Sequence, residues 1–312
     1  MKREIYILSG FLGSGKTTLL KQMVSMLKKQ GKKPAVLMNE LGKVSIDSDE
    51  VEEGIPLAEL LDGCICCTIQ EKLESQLQEL LFNKGWDVLI IETTGAAHPV
   101  EVLDSVMSPL FADHWNFKGI ITIVDVLQWD NREFLSPQVL QLLREQIRHS
   151  HLLLLNKTDL LSENAVGKVV FEIQSINSSA RTLITTHSKL SLKDIEALQT
   201  SEEDILNSIS TRDKKQLSLQ SFVYTFTNSV DQEQFENWLR KSPDTIYRMK
   251  GYIPFTGFQY PYSFQYSYGM PMFLPEDMNM PKNLVIIGEQ LKVDELKNQL
   301  KKLEQTENTP LQ

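Results

Sequence analysis

Cysteine is almost missing from this chain: there are 3 in 312 residues, all between positions 64 and 67. Thiols that close cannot staple distant parts of a fold, which excludes a disulfide-framed secreted domain and points to a reduced compartment. Excess positive charge is missing too. With 32 Lys and Arg against 41 Asp and Glu the net charge is −9, and the lysine pairs Lys28-Lys29, Lys32-Lys33, Lys214-Lys215 and Lys301-Lys302 are scattered. No nucleic-acid or anionic-membrane surface is expected. No apolar run approaches the length of a membrane span, and a strand-like run starts directly after the first residues, so no signal peptide is expected. The expected location is cytoplasmic. Histidine is sparse, 5 residues with none beyond His187, so the chain has no histidine-rich tract.

What is present is organised around Gly10-Phe11-Leu12-Gly13-Ser14-Gly15-Lys16-Thr17-Thr18, a full G-x-x-x-x-G-K-[ST] signature. Ile5-Tyr6-Ile7-Leu8 before it reads as a strand. Leu19 to Leu27 after it has apolar residues at helical spacing, and strand, glycine turn and helix together give the pattern its specificity. Gly10, Gly13 and Gly15 let successive backbone N–H groups turn towards phosphate oxygens, with Ser14 and Thr18 in the same cradle, and the helix adds its positive end. Lys16 would reach the β- and γ-phosphates and the Thr17 hydroxyl would ligate Mg²⁺. A nucleoside triphosphate is the expected ligand.

Further strands read at Pro34–Met38, 55–61, Asp87–Ile91, Gly119–Asp125, 152–155 and 182–185, with helices after Thr68 and over 136–148. Asp87–Ile91 is an unbroken apolar run, as in a parallel strand buried on both faces. It ends in Glu92-Thr93-Thr94-Gly95, where a carboxylate beside the phosphate loop would hold Mg²⁺ and Gly95 could offer its N–H to a γ-phosphate. The 152–155 run ends in Asn156-Lys157-Thr158-Asp159. There the Asp159 carboxylate can accept from guanine N1–H and the 2-amino group, Lys157 can lie along the base, and Asn156 can brace the loop. Ser188-Lys189 is a candidate for touching the base from the other side. GTP is therefore the expected nucleotide.

The alternation predicts an α/β domain over 1–199, a doubly wound and mostly parallel sheet of the P-loop kind with its loops at the strands' carboxyl ends. A polar linker over 200–217 precedes an α+β domain over 218–305, of about ninety residues, with strands near 222–226, 247–256, 264–273 and 284–287. Helices are expected at 234–239 and 293–303, and residues 306–312 form a tail. The aromatic residues of this second domain read as core.

Asp62-Gly63-Cys64-Ile65-Cys66-Cys67 precedes Thr68-Ile69-Gln70-Glu71, whose spacing is that of a capping box. A helix start lowers a thiol pKa, so Cys64, Cys66 and Cys67 suit metal ligation by soft thiolates, most naturally of Zn²⁺, Cu(I) or Co²⁺. A redox pair and inert buried cysteines are the alternatives.

These pieces together resemble the CobW family of GTP-dependent metallochaperones, relatives of the urease- and hydrogenase-maturation GTPases. The matching stretches are Gly10–Thr18, Asn39-Glu40-x-Gly42, Gly63–Cys67, Glu92–Gly95 with His98-Pro99, Asn156–Asp159, Arg248-Met249-Lys250-Gly251 and Ile287-Gly288. The resemblance implies GTP hydrolysis with Mg²⁺, a transition metal (commonly Zn²⁺) at the thiolates, and delivery to a client metalloprotein or metal-cofactor pathway. It leaves room for a nucleotide- or metal-dependent homodimer. Glu40, a water or a client residue would complete a three-thiolate shell. The chain departs from the pattern at Met38 and Lys43, where many relatives carry acids. The rival readings are a P-loop phosphotransferase, or a GTP sensor, with a structural zinc or a redox cysteine cluster.

Overall fold

A computed structural model of the chain describes residues 2–38, 57–59, 68–82, 85–198, 219–267 and 269–305. The chain divides into two compact units, Met1–Val102 with His114–Ser218, and Leu103–Asp113 with Leu219–Gln312. No helix among the described residues is long and apolar enough to cross a membrane.

The first unit is built on a seven-stranded sheet. Its strands are β1 (Arg3–Ser9), β2 (Pro34–Met38), β3 (Leu57–Glu59), β4 (Val88–Glu92), β5 (Trp115–Asp125), β6 (Leu152–Asn156) and β7 (Arg181–Ile184), in the order β3-β2-β4-β1-β5-β6-β7. Every neighbouring pair is parallel. The helices are α1 (Lys16–Lys29), α2 (Thr68–Phe82), α3 (Pro99–Val106, of which only Pro99–Val102 belongs to this unit), α4 (Val126–Asp130), α5 (Pro137–Arg148), α6 (Glu163–Ile176) and α7 (Leu192–Glu196). The strands lack polar alternation because both sheet faces are covered. On β6, Leu152 and Leu154 pack with Leu19, Met23 and Leu27 of α1, while Leu153 and Leu155 pack with Leu143 and Ile147 of α5 and Val169 and Ile173 of α6. Local chemistry sets the helix ends. Ser136 accepts from Val139 N at the start of α5 and Ser162 accepts from Ala165 N at the start of α6. Asn177 donates to the carbonyls of Ile147, Arg148 and Ser150 and so satisfies the end of α5.

The second unit has an antiparallel sheet of β8 (Leu219–Thr225), β9 (Ile246–Ile253), β10 (Tyr262–Ser267), β11 (Met270–Pro275) and β12 (Asn283–Glu289), in the order β11-β10-β9-β12-β8. The helices α8 (Gln232–Leu239) and α9 (Val293–Gln305) complete it. One sheet face contributes Phe222, Met249, Ile253, Phe264 and Ile286 to a core shared with Phe235, Leu296 and Leu300. Phe235 is central, with ring centroids 5.3 Å from Phe264 and 5.8 Å from Phe255. The aromatic residues of this unit are core. Glu304 of α9 accepts from Tyr224 Oη and from the backbone N–H groups of Thr227 and Asn228, which fixes the exit of β8.

Boundaries differ from the sequence reading in a few places. β5 begins at Trp115, four residues before Gly119; the half-buried Asn116 and Lys118 interrupt the apolar pattern there, so the sequence shows only the fully buried part of the strand. The stretch over 264–273 is a hairpin, β10 and β11, with Gly269 at φ +91 in its connection.

Candidate nucleotide site

The first unit's candidate groups collect at the carboxyl edge of its sheet. The loop from Gly10 to Gly15 leaves β1 and enters α1. Gly10 has φ +135, and a Cβ there would collide with the Ile123 carbonyl oxygen; Gly15 has φ +116, and a Cβ would stand 2.7 Å from Asn156 Nδ2. Both positions exclude a side chain on conformation and on space. Among the described residues no side chain caps α1, and its first turn carries no acid. The leading N–H groups thus remain on offer to an anion, with the helix dipole behind them. Thr18 is exposed in that first turn, and Ser14 is buried in the loop.

Lys16 is buried, and its Nζ donates to the carbonyls of Gly10 at 2.9 Å and Phe11 at 3.2 Å. Burial lowers its pKa, and the nearby Glu92 carboxylate opposes that shift. Thr17 Oγ1 donates to Glu92 Oε1 at 2.8 Å. Cis oxygen ligands of an octahedral Mg²⁺ stand roughly 3 Å apart, so this hydroxyl and carboxylate fit the hard, oxygen-bound ion that a triphosphate brings.

Glu92 ends β4, opposite Leu8 of β1. Thr93 extends that pairing by one residue, its N and Oγ1 both donating to Leu8 O at 3.0 Å. The chain then turns, with Ala97 N donating to Thr94 O at 3.1 Å. Gly95 lies against the phosphate loop, where a Cβ would come within 2.5 Å of Leu12 N. The E-x-x-G stretch and the G-x-x-x-x-G-K-T stretch are thus one packed unit.

Asn156, at the end of β6, joins three segments. Its Nδ2 donates to Ser14 O at 2.8 Å and to Ser188 Oγ at 3.0 Å, and its Oδ1 accepts from Ser188 N at 2.8 Å. Ser188 Oγ donates to Gly15 O at 3.1 Å. His187 and Ser188 both have positive φ, near +53 and +52, a strained pair that these bonds hold in place. Lys157 is also left-handed, at φ +64, and its Nζ pairs with Asp125 Oδ2 at 2.6 Å. Asp159 is exposed on the turn that follows. Two contributors escaped the sequence reading. Asp125 was visible only as the end of a strand, and Gln146, a buried residue of α5 whose Nε2 donates to Gly95 O and Ala97 O, sits in a helix with no motif.

The expected metal ligands Cys64, Cys66, Cys67 and Glu40 lie outside the described residues. Among the described residues no group of three or more His, Cys, Asp or Glu side chains could hold a metal. The flanks of the cysteine segment are described. Glu59 pairs with Met38, Met38 with Glu92, and Glu92 with Leu8. β3 therefore ends, at Glu59, on the sheet edge that carries the Gly10–Gly15 loop, and α2 begins at Thr68.

Residues 4–184 match the model for the CobW/HypB/UreG nucleotide-binding domain, and residues 219–304 match that for the cobalamin synthesis protein cobW C-terminal domain. The zinc chaperone YjiA of Escherichia coli (strain K12) is 30% identical, with 94% of this chain and 96% of that protein aligned. The zinc-regulated GTPase metalloprotein activator 1 of Dictyostelium discoideum is 29% identical over 80% of this chain, and the match spans 62% of that protein's length. The zinc chaperone CobW of Pseudomonas aeruginosa is 32% identical, with 55% of this chain and 53% of that one covered. The crystal structure of the Zn(II)-bound YjiA GTPase from E. coli superposes with a TM-score of 0.50 at 25% identity, covering 97% of this chain and 99% of that one. With its P-loop cradle, its Glu92 loop and both domain models accounted for, the chain belongs to the CobW/HypB/UreG family.

Proposed function

We propose that the protein is a GTP-hydrolysing metallochaperone. It binds GTP at the carboxyl edge of the parallel sheet, takes a transition ion, zinc first, on Cys64, Cys66 and Cys67, and yields it to a client metalloprotein as the nucleotide changes. The observation that carries this reading is the register row Glu59, Met38, Glu92, Leu8. It sets the end of β3, five residues before Cys64, on the same sheet edge as the Gly10–Gly15 loop and Glu92, which supports a cysteine site near the nucleotide. Relatives named as zinc chaperones and as a zinc-regulated GTPase support it. A cytoplasmic setting accords with thiols that must stay reduced.

In this mechanism Lys16 exchanges its two carbonyl partners for β- and γ-phosphate oxygens, and the α1 N-terminus and loop N–H groups share the remaining charge. Thr17 and Glu92 would hold Mg²⁺, which neutralises charge that develops on the phosphates. Asn156 keeps the purine loop locked to the phosphate loop, and Asp159 accepts from guanine N1–H and the 2-amino group. Gly95 offers its N–H to the γ-phosphate. When that phosphate leaves, the Glu92–Gly95 loop is released, and the adjacent strand ends carry the change to the cysteine segment.

The test is calorimetric titration with GTP and ATP, followed by phosphate release with and without Zn²⁺. Preference for GTP, turnover that responds to zinc, and loss of turnover in Lys16→Ala are expected. Equal affinity for GTP and ATP contradicts the reading, as does turnover retained without Lys16. Phosphate passed to an acceptor other than water favours a phosphotransferase.

A further inference from the structure

Gln146 is 1% exposed in the apolar interior between α5 and the sheet, with Leu143 and Ile147 as its core neighbours on the same helix. An amide is costly to bury unless it is hydrogen-bonded, and packing alone would favour leucine or methionine there. Its Nε2 donates to Gly95 O at 3.1 Å and Ala97 O at 3.2 Å, two carbonyls of one turn. The residue is itself tied to the sheet, because Thr122 Oγ1 of β5 donates to Gln146 O at 3.1 Å. Gly95 is thus bracketed. On its N-terminal side Thr93 is fixed to Leu8 O by two bonds, and on its C-terminal side Gln146 grips the turn. Between these anchors Gly95 rests on Leu12 of the phosphate loop. The helix that supplies the grip is stabilised at both ends, by Ser136 and by Asn177.

We infer that Gln146 is a positioning residue for γ-phosphate sensing: its amide fork holds the Gly95–Ala97 turn in the orientation from which the Gly95 N–H addresses the γ-phosphate. This rests on the GTPase reading above. The Gly95 N–H lies in the Thr94–Gly95 peptide, between the two bonds that fix Thr93 and the bond that fixes the Gly95 carbonyl, and the second bond to Ala97 O stops the turn from swinging about these anchors. A turn so held meets the γ-phosphate without first having to be ordered. GDP has no group for Gly95, so its binding does not depend on the fork.

The experiment compares parent, Gln146→Met and Gln146→Glu for kcat, for affinity towards a non-hydrolysable GTP analogue and GDP, and for thermal unfolding. Met keeps the length and bulk and removes both donors. It is expected to lower kcat and GTP-analogue affinity about tenfold each, the loss of roughly two modest hydrogen bonds, and to leave GDP affinity within about twofold of the parent. Glu faces the two carbonyls with a carboxylate at high pH and regains one donor when protonated. Its activity should recover as pH falls from about 8 to about 6, since a buried carboxyl titrates well above its usual range. A merely structural role would weaken both nucleotides alike and give the Glu variant no such profile. A Gln146→Met protein with the parent's kcat and the parent's ratio of GTP-analogue to GDP affinity overturns the inference. If that variant does not fold, the same ratio is read on Gln146→Asn, which keeps an amide too short for both carbonyls and should show the same selective loss. A parent that binds no GTP would overturn the GTPase reading instead.

Discussion

Replacing Asn156 by alanine removes, in one step, the bonds that tie the end of β6 to the Gly10–Gly15 loop and to Ser188. The side chain is buried, and three hydrogen bonds of 2.8, 3.0 and 2.8 Å disappear with it. At about 1 kcal/mol net for each bond the loss is about 3 kcal/mol. Two considerations pull in opposite directions. The Ser188 N–H and Ser14 C=O stay behind, and a buried group without a partner costs about 1–3 kcal/mol. Water entering the space left by the amide recovers part of that. The expected destabilisation is therefore about 3 kcal/mol, roughly a hundredfold in the folding equilibrium. Asn156→Asp should be worse, because it sets an anionic acceptor against Ser14 O where a donor stood at 2.8 Å. Urea unfolding of nucleotide-free protein measures the stability, and titration with GDP and a GTP analogue measures the ligand side. Both nucleotides should weaken by similar factors, since Asn156 serves the loop and not the γ-phosphate. An unfolding midpoint within about 0.5 kcal/mol of the parent would mean that this network contributes nothing to the fold.

Three other outcomes follow from the same geometry. Asp159→Asn should lower GTP affinity by about tenfold or more and shift preference towards xanthosine triphosphate, measured by competition titration; unchanged GTP preference would remove Asp159 from base recognition. Gly95→Ala should abolish most turnover and leave GDP binding nearly intact, because the new Cβ would press on Leu12 N at 2.5 Å; parent-like phosphate release would contradict the packing. Burial pushes the Glu304 carboxyl up, but the hydrogen bonds from Tyr224, Asn228 and Thr227 outweigh it and leave the carboxyl below its ordinary 4.5. The folded state then holds its proton less tightly than the unfolded state, so the stabilisation is present above that value and is lost as pH falls through the lower folded one. In denaturant titrations the stability gap between parent and Glu304→Gln should be full at pH 6 and close on acidification below about 4.5. A gap constant with pH would refute it.

Much of the first unit was legible because its signals are local. An unbroken apolar run as short as Val88–Ile91 reads as a strand covered on both faces, and a glycine-rich turn between strand and helix at residues 10–18 has one common use. The spacing of Glu92, Gly95 and Asn156 after that turn pointed to one edge, and the fold does bring these three against the 10–18 loop. Asp125 and Gln146 escaped because their roles are long-range. An acid at a strand end is ordinary until Lys157, 32 residues on, is placed beside it. A glutamine in an amphipathic helix reads as surface until the fold buries it under Gly95. Residues 103–113 group with the second unit for a similar reason: the bond from Asn283 Nδ2 to Pro109 O joins positions 174 apart, and no local pattern carries it.

The central claim is that metal and nucleotide share one free-energy account through the strand ends next to Glu92. It is tested most directly by chelator-competition titration of Zn²⁺ against the protein saturated with a GTP analogue or with GDP, in parent and in Cys66→Ser. A coupling of about 1–3 kcal/mol predicts Zn²⁺ affinities that differ roughly 5- to 150-fold between the two nucleotide states, with the reciprocal change in nucleotide affinity when zinc is bound. Cys66→Ser should lose both the tight site and the difference. Equal Zn²⁺ affinities in the two states of the parent would contradict the account and leave a GTPase beside an independent thiol site.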